Sequence, residues 1–131
     1  MTKVIPGPHP DPHPPKAFIP PPKACDAHCH IFGPASQFPF AEQRAYTPPD
    51  SGIDRFEELQ ERLGLSRAVF VQASCHGTDN SALLHAVRRG NGKYSGVAMI
   101  DDDTTDLEIR QLHEAGVRGI RFNFVAHLGG A

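Results

Sequence analysis

The chain has 131 residues, 39 % of them hydrophobic, and a formal net charge of −2, a composition that belongs to a globular domain rather than a disordered segment. The near-neutral balance gives no electrostatic reason to bind nucleic acid or an anionic membrane, and no apolar run approaches the roughly 20 residues that span a bilayer. Lys3 is not followed by the apolar segment of a secretory signal, and the odd set Cys25, Cys29 and Cys75 points to free thiols in a reducing cytoplasm.

Residues 1–23 hold nine of the 13 prolines. Each proline fixes φ and removes a backbone donor, so the stretch reads as an extended, mobile tail rather than a helix or central strand. His9 and His13 lie in it and receive no role. From residue 24 to 131 strands and helices alternate. Ala24 to His30 is the first strand. Phe32 to Pro49 is a long connection rich in proline and aromatics, and connections of that length in compact domains are commonly functional.

Ser51 with Asp54 three residues on predicts a capped helix start, and Ile53, Phe56, Leu59 and Leu63 give that helix one apolar stripe, ended by Gly64. Ala68 to Gln72 is a continuous apolar run, as in a strand buried on both faces. A second helix runs from about Asn80 to Arg89 and stops at Gly90, and Gly96 to Ile100 makes the third strand. Thr105 and Glu108 form a capping box for a third helix through Ala115, closed by Gly116. Val117 to Phe122 is the fourth strand.

The order β-α-β-α-β-α-β builds a parallel sheet through right-handed crossovers. An open doubly wound sheet and part of a closed barrel both fit it. Four strands in just over 100 residues are half of what a (β/α)₈ TIM barrel of about 250 residues requires, so residues 24–131 read as the N-terminal half of such an α/β barrel, about its first four βα units.

The densest chemistry is Asp26-Ala27-His28-Cys29-His30. Residues two apart on a strand share a face, which places His28 and His30 together with Asp26 below them and turns Cys25 and Cys29 away. Two imidazoles at the exit of a first barrel strand can hold a divalent cation or bind a polarised carbonyl oxygen. Gln72-Ala73-Ser74-Cys75-His76-Gly77 follows the second strand at the same rim; Ser74 can donate to a carboxylate, and His76 can bond it or orient the histidine pair. Arg121 ends the fourth strand on a face shared with Val117, Gly119 and Asn123, where its planar fork suits either a substrate carboxylate or an internal acid such as Asp26. Tyr46 in the long first loop offers a phenol over the pocket mouth or packs the loop down.

DAHCHIFGP, VFVQASCHGTDN and GVRGIRFNF, in this order and spacing from about Cys25 to Phe124, resemble the amidohydrolase-related 2-pyrone-4,6-dicarboxylate hydrolases (lactonases) of bacterial lignin-aromatic degradation. The resemblance implies a distorted (β/α)₈ barrel that opens a cyclic pyrone ester. It implies catalytic roles for His28 and His30, which would polarise the lactone carbonyl. Tyr46, Ser74, His76 and Arg121 would then line the pocket and grip the carboxylates of a small anionic substrate. It also implies that no metal is required, with zinc or manganese on His28 and His30 as the variant. Two departures stand out: His127 occupies the place of a substrate-binding arginine, and the family's later histidine and water-activating aspartate are not in this chain. A metal-dependent hydrolase or decarboxylase of the same superfamily, and a non-catalytic half-barrel that associates with a copy of itself, are the competing readings.

Overall fold

The structure, a computed structural model, describes residues 3–124. Its elements in chain order are β1 (Lys3–Val4), β2 (Cys25–Cys29), β3 (Tyr46–Thr47), α1 (Ile53–Leu63), β4 (Arg67–Val71), a 3₁₀ turn (Ser74–His76), α2 (Ser81–Arg89), β5 (Tyr94–Met99), α3 (Asp106–Glu114) and β6 (Val117–Arg121). Strands β2, β4, β5 and β6 form one sheet in that order, and every neighbouring pair is parallel. Sequential strands lying side by side, each reached through a helix, are what a barrel wall requires. The unit is four strands of a (β/α)₈ barrel with the three helices that connect them.

The core lies between the sheet and the helices. Phe56 of α1, Phe70 of β4 and Tyr94 of β5 meet edge to face, with ring centroids 4.8, 5.2 and 6.1 Å apart. Ala82, Leu83, Ala86 and Val87 of α2 complete it against Ala68, Ala98 and Val117. Strand β5 begins at Tyr94, two residues before the sequence pattern suggests, because the Tyr94 ring belongs to this core and its hydroxyl donates to Gln60 Oε1 at 2.6 Å.

Helix termini show which local signals prevailed. The Thr105–Glu108 capping box forms as expected. The Ser51 cap does not: Ser51 exchanges backbone hydrogen bonds with Phe32 (3.0 and 2.7 Å), and Gly52 becomes the first flanking residue of α1. Asp79 Oδ1 accepts the amide of Ser81 at the start of α2, while the Asn80 side chain turns to both backbone groups of Met99 at the end of β5.

The proline-rich segment is extended, yet where the sequence suggests a mobile tail the structure lays it along α1. Strand β1 pairs with β3, Arg55 donates to the carbonyls of His9 and Pro10, and Arg62 pairs with Asp11 at 2.6 Å. Carbonyls that proline-rich chain cannot use in a ladder remain good acceptors for a guanidinium.

Two irregularities re-aim side chains. Asp26 pairs with Ala68 and Cys29 with Phe70, three residues against two. Ala68 and Phe70 both face the helices, so Asp26 joins Cys29 on that side and not the histidines, contrary to the simple alternation. Its carboxylate accepts the amide of His28 (3.1 Å), bracing the bulge. In β6 the register shifts between Gly96 and Val97, which pair with Val117 and Gly119. Val117 thereby enters the helix-side core and does not share the face of Arg121. A bulge adds one residue and inverts the alternation beyond it.

Candidate active site

The C-terminal ends of β2, β4 and β6 bring the predicted residues to one rim. The rings of His28 and His30 stand 5.1 Å apart at an interplanar angle of 83°. His28 is exposed and His30 half-buried. His30 Nδ1 lies 2.8 Å from the carbonyl oxygen of Val71. A carbonyl only accepts, so Nδ1 carries the proton and Nε2 keeps a lone pair. Burial, with His28 and the Arg121 guanidinium nearby, pulls the His30 pKa below its ordinary value despite the favourable carbonyl bond. His30 is therefore neutral near pH 7 and presents an acceptor.

Arg121, half-buried, donates from Nη1 to the carbonyl of Gln72 at 3.0 Å. None of the ion pairs found among the described residues includes it, so the expected internal pairing with Asp26 is not made. The bond to Gln72 orients the fork while leaving donors for an anion. Across the rim, Ser74 Oγ donates to Tyr46 Oη at a long 3.4 Å. Burial raises the Tyr46 pKa, so the phenol stays protonated.

His76 is placed differently from the expectation of a substrate contact. It is 2 % exposed, and both ring nitrogens are engaged with backbone: Gly33 N donates to Nε2 at 3.2 Å and Nδ1 faces Pro39 O at 3.2 Å. Three supporting residues escaped the sequence reading. Gln72, 2 % exposed, donates to the carbonyls of Gly77 and Asp79 and sets the loop after β4. Asn80 ties that loop to β5. Arg44 donates to Ala41 O and Thr47 Oγ1 and stiffens the approach to Tyr46. The one local signal was an amide ending the apolar run AVFVQ.

The donor set falls short of a complete divalent-cation site. His30 has the tied Nδ1 and open Nε2 of a metal-binding imidazole. With His28 it makes two donors, and among the described residues no group of three or more His, Cys, Asp or Glu side chains comes together. The guanidinium of Arg121 lies near enough to depress the His30 pKa. Two imidazole donors beside a fixed positive charge do not by themselves complete the set of four or more ligands that a dication takes. The cysteines supply nothing here: Cys29, facing the core, has its thiol pushed up to about 12 by burial, and Cys75 is raised for the same reason. A cavity of about 550 Å³ lies between the proline-rich segment and β2, with Pro6, Pro12, Asp26, His30 and Phe32 in its wall.

Comparison with known proteins agrees with this fold. The chain is 51 % identical over 105 residues to a 2-pyrone-4,6-dicarboxylate hydrolase of Comamonas testosteroni, covering 80 % of this chain and 34 % of that protein. It is 44 % identical over 110 residues to a 4-sulfomuconolactone hydrolase of Rhizobium radiobacter, covering 84 % and 37 %. The chain thus spans about a third of the length of these relatives. The fold superposes with a TM-score of 0.70 and 28 % identity on the crystal structure of a probable 2-pyrone-4,6-dicarboxylic acid hydrolase from Acinetobacter baumannii with citric acid bound. That match covers 77 % of this chain and 38 % of the other. The amidohydrolase family model matches residues 25–131, from the first sheet strand onward. The chain belongs to the amidohydrolase family.

Proposed function

We propose that this protein hydrolyses the ring ester of a lactone dicarboxylate, 2-pyrone-4,6-dicarboxylate, in the breakdown of lignin-derived aromatic compounds. The observation that carries the reading is Arg121: a half-buried guanidinium, oriented by the Gln72 carbonyl, without a carboxylate partner among the described ion pairs and close to the histidine pair. A planar fork in that setting suits a substrate carboxylate. The relatives named as lactone hydrolases support the substrate class.

The chemistry follows from protonation states. His30 offers only a lone pair at Nε2, so His28 is the member of the pair able to donate an N–H to the lactone carbonyl oxygen, stabilising charge as it develops there. His30 Nε2 accepts from the attacking water and orients it. Arg121 grips one carboxylate, and Ser74 and Tyr46 offer donors to the other, so that the carbonyl carbon faces the water. Water adds to that carbon as one of its protons passes to a carboxylate that the family resemblance implies outside the described residues. The ring C–O bond then breaks, that proton returns to the departing ring oxygen, and an open-chain hydroxy acid with a new carboxylate leaves. The scheme routes no step through a metal, and zinc or manganese on His28 and His30 is the arrangement that the chelator arm of the test distinguishes from it. The free cysteines suit a cytoplasmic setting, and no described helix is long and apolar enough to cross a membrane. Exposed Ile120, Phe122 and Phe124 form an apolar surface suited to association with further polypeptide.

The test is loss of pyrone absorbance on incubating the protein with 2-pyrone-4,6-dicarboxylate, with and without chelator and added zinc. Hydrolysis indifferent to chelator supports the proposal. Hydrolysis abolished by chelator sinks the metal-free mechanism. Hydrolysis of 4-sulfomuconolactone alone would transfer the assignment to that sister lactone, which the 44 % relative makes the second reading. His127, the departure from the family pattern, lies outside the described residues.

A further inference from the structure

We infer that His76 is a positioning residue, a neutral latch that fastens the long first loop over the rim and so sets Tyr46 against Ser74. Gly33 and Pro39 belong to that loop, and His76 meets the amide of one and the carbonyl of the other. The amide can only donate and the carbonyl can only accept. The two bonds therefore coexist in one protonation state, with the hydrogen on Nδ1 and the lone pair on Nε2. An imidazolium loses the Gly33 bond, and the opposite tautomer loses both.

The surroundings hold the ring in that state. It packs on Phe40 with centroids 4.8 Å apart. Burial lowers its pKa although Pro39, Asp79 and Asp50 each act in the opposite direction. Gly33 has a φ of +68°, and a Cβ there would collide with the Asp50 carboxylate, so only glycine brings its amide to the imidazole. The next residue of the turn, Cys75, accepts the amide of Ala41 through its carbonyl at 2.8 Å. From Ala41 the connection runs through Arg44 to Thr47, beside Tyr46. With no nitrogen left over, His76 has nothing to offer a substrate.

This inference rests on the lactone reading only for what the latch serves, and its test is separable from that reading. In the full chain at neutral pH, the ¹⁵N signals of the His76 ring should show a protonated Nδ1 and an unprotonated Nε2. Adding 2-pyrone-4,6-dicarboxylate should leave the Nε2 signal in place. In His76→Phe the ring stacking is kept and both bonds go. The Gly33 amide should then exchange about 10-fold faster or more, and the Tyr46 phenol should titrate lower than in the parent, while Phe70 and Ala98 amides keep their protection. His76→Gln, with an acceptor near the Nε2 position, should restore part of the Gly33 protection. A protonated Nε2, a direct shift of that nitrogen by the pyrone, or an unchanged Tyr46 titration in a folded His76→Phe would each overturn the latch. If His76→Phe does not fold, the ring signals of the parent decide. Absence of pyrone hydrolysis with the ring signals as described would fail the lactone reading and leave the latch standing.

Discussion

Strands β4 and β6 are equal in length, but the structure treats them differently. β4 lies between β2 and β5 with α1 and α2 packed on it, and Phe70 is fully buried. Among the described residues β6 has a sheet partner on one side only, and α3, the helix leading to it, has no buried residue. Leu107, Ile109, Ile120, Phe122 and Phe124 remain exposed there. Among the described residues the packed core therefore centres on β4, while the end of β6 carries the Arg121 guanidinium. A strand can matter to the site without mattering much to the core.

Substitutions can break that contrast. Phe70→Ala should cost about 3–5 kcal/mol, the usual range for a fully buried aromatic, whereas Leu107→Ala on α3 should stay within about 0.5 kcal/mol. Denaturant unfolding measures both, and equal costs would end the contrast. Arg121→Met should change stability little but weaken substrate binding by about 10- to 100-fold, the worth of a charged hydrogen bond of about 1.5–3 kcal/mol. In steady-state kinetics it should raise KM more than it lowers kcat, and His28→Asn should do the reverse. Equal losses of both parameters in each variant would argue against these roles.

A smaller effect sharpens the same picture. Tyr94→Phe keeps the ring and removes the donor to Gln60 Oε1, leaving a buried acceptor, at a cost of about 1–2 kcal/mol. The smallest effect should come from pH. The folded pKa values of His30 and His76 lie below the ordinary value of 6.5, so the unfolded chain binds more protons than the folded one in between. Their contribution is present above about 6.5 and is lost as pH falls from there through the folded values. Acid should therefore lower amide protection factors, taken relative to the intrinsic exchange rate at each pH, around β2 and β4 before it does so around β6. Loosening of α3 first would contradict that order.

Much of this was legible in the residues. The apolar run at Ala68 to Val71, the amphipathic stripe ending at Gly64 and the Thr105–Glu108 box each encode their element locally, because periodicity and capping act over a few neighbours. The clustering of His28, His30, Ser74 and Arg121 at one rim followed from placing each at the end of a parallel strand. The proline content likewise fixed the extended character of the first segment.

Other features depended on contacts between distant residues. Ser51 lost its capping role to Phe32, 19 positions earlier, and Asp26 and Val117 changed faces at bulges that only strand pairing reveals. The course of the proline-rich segment was set by Arg55 and Arg62 on α1. His76 shows the difference most sharply. As a residue type in a rim loop it is as good a substrate ligand as any other histidine. Only folding brings Gly33 and Pro39 against its two nitrogens, and a nitrogen already bonded to backbone is not available to a substrate. The sequence by itself determined the order of elements and the types of side chain at the rim. The tertiary structure decided which of those side chains are occupied, because hydrogen-bonding capacity is consumed by neighbours in space and not by neighbours in sequence.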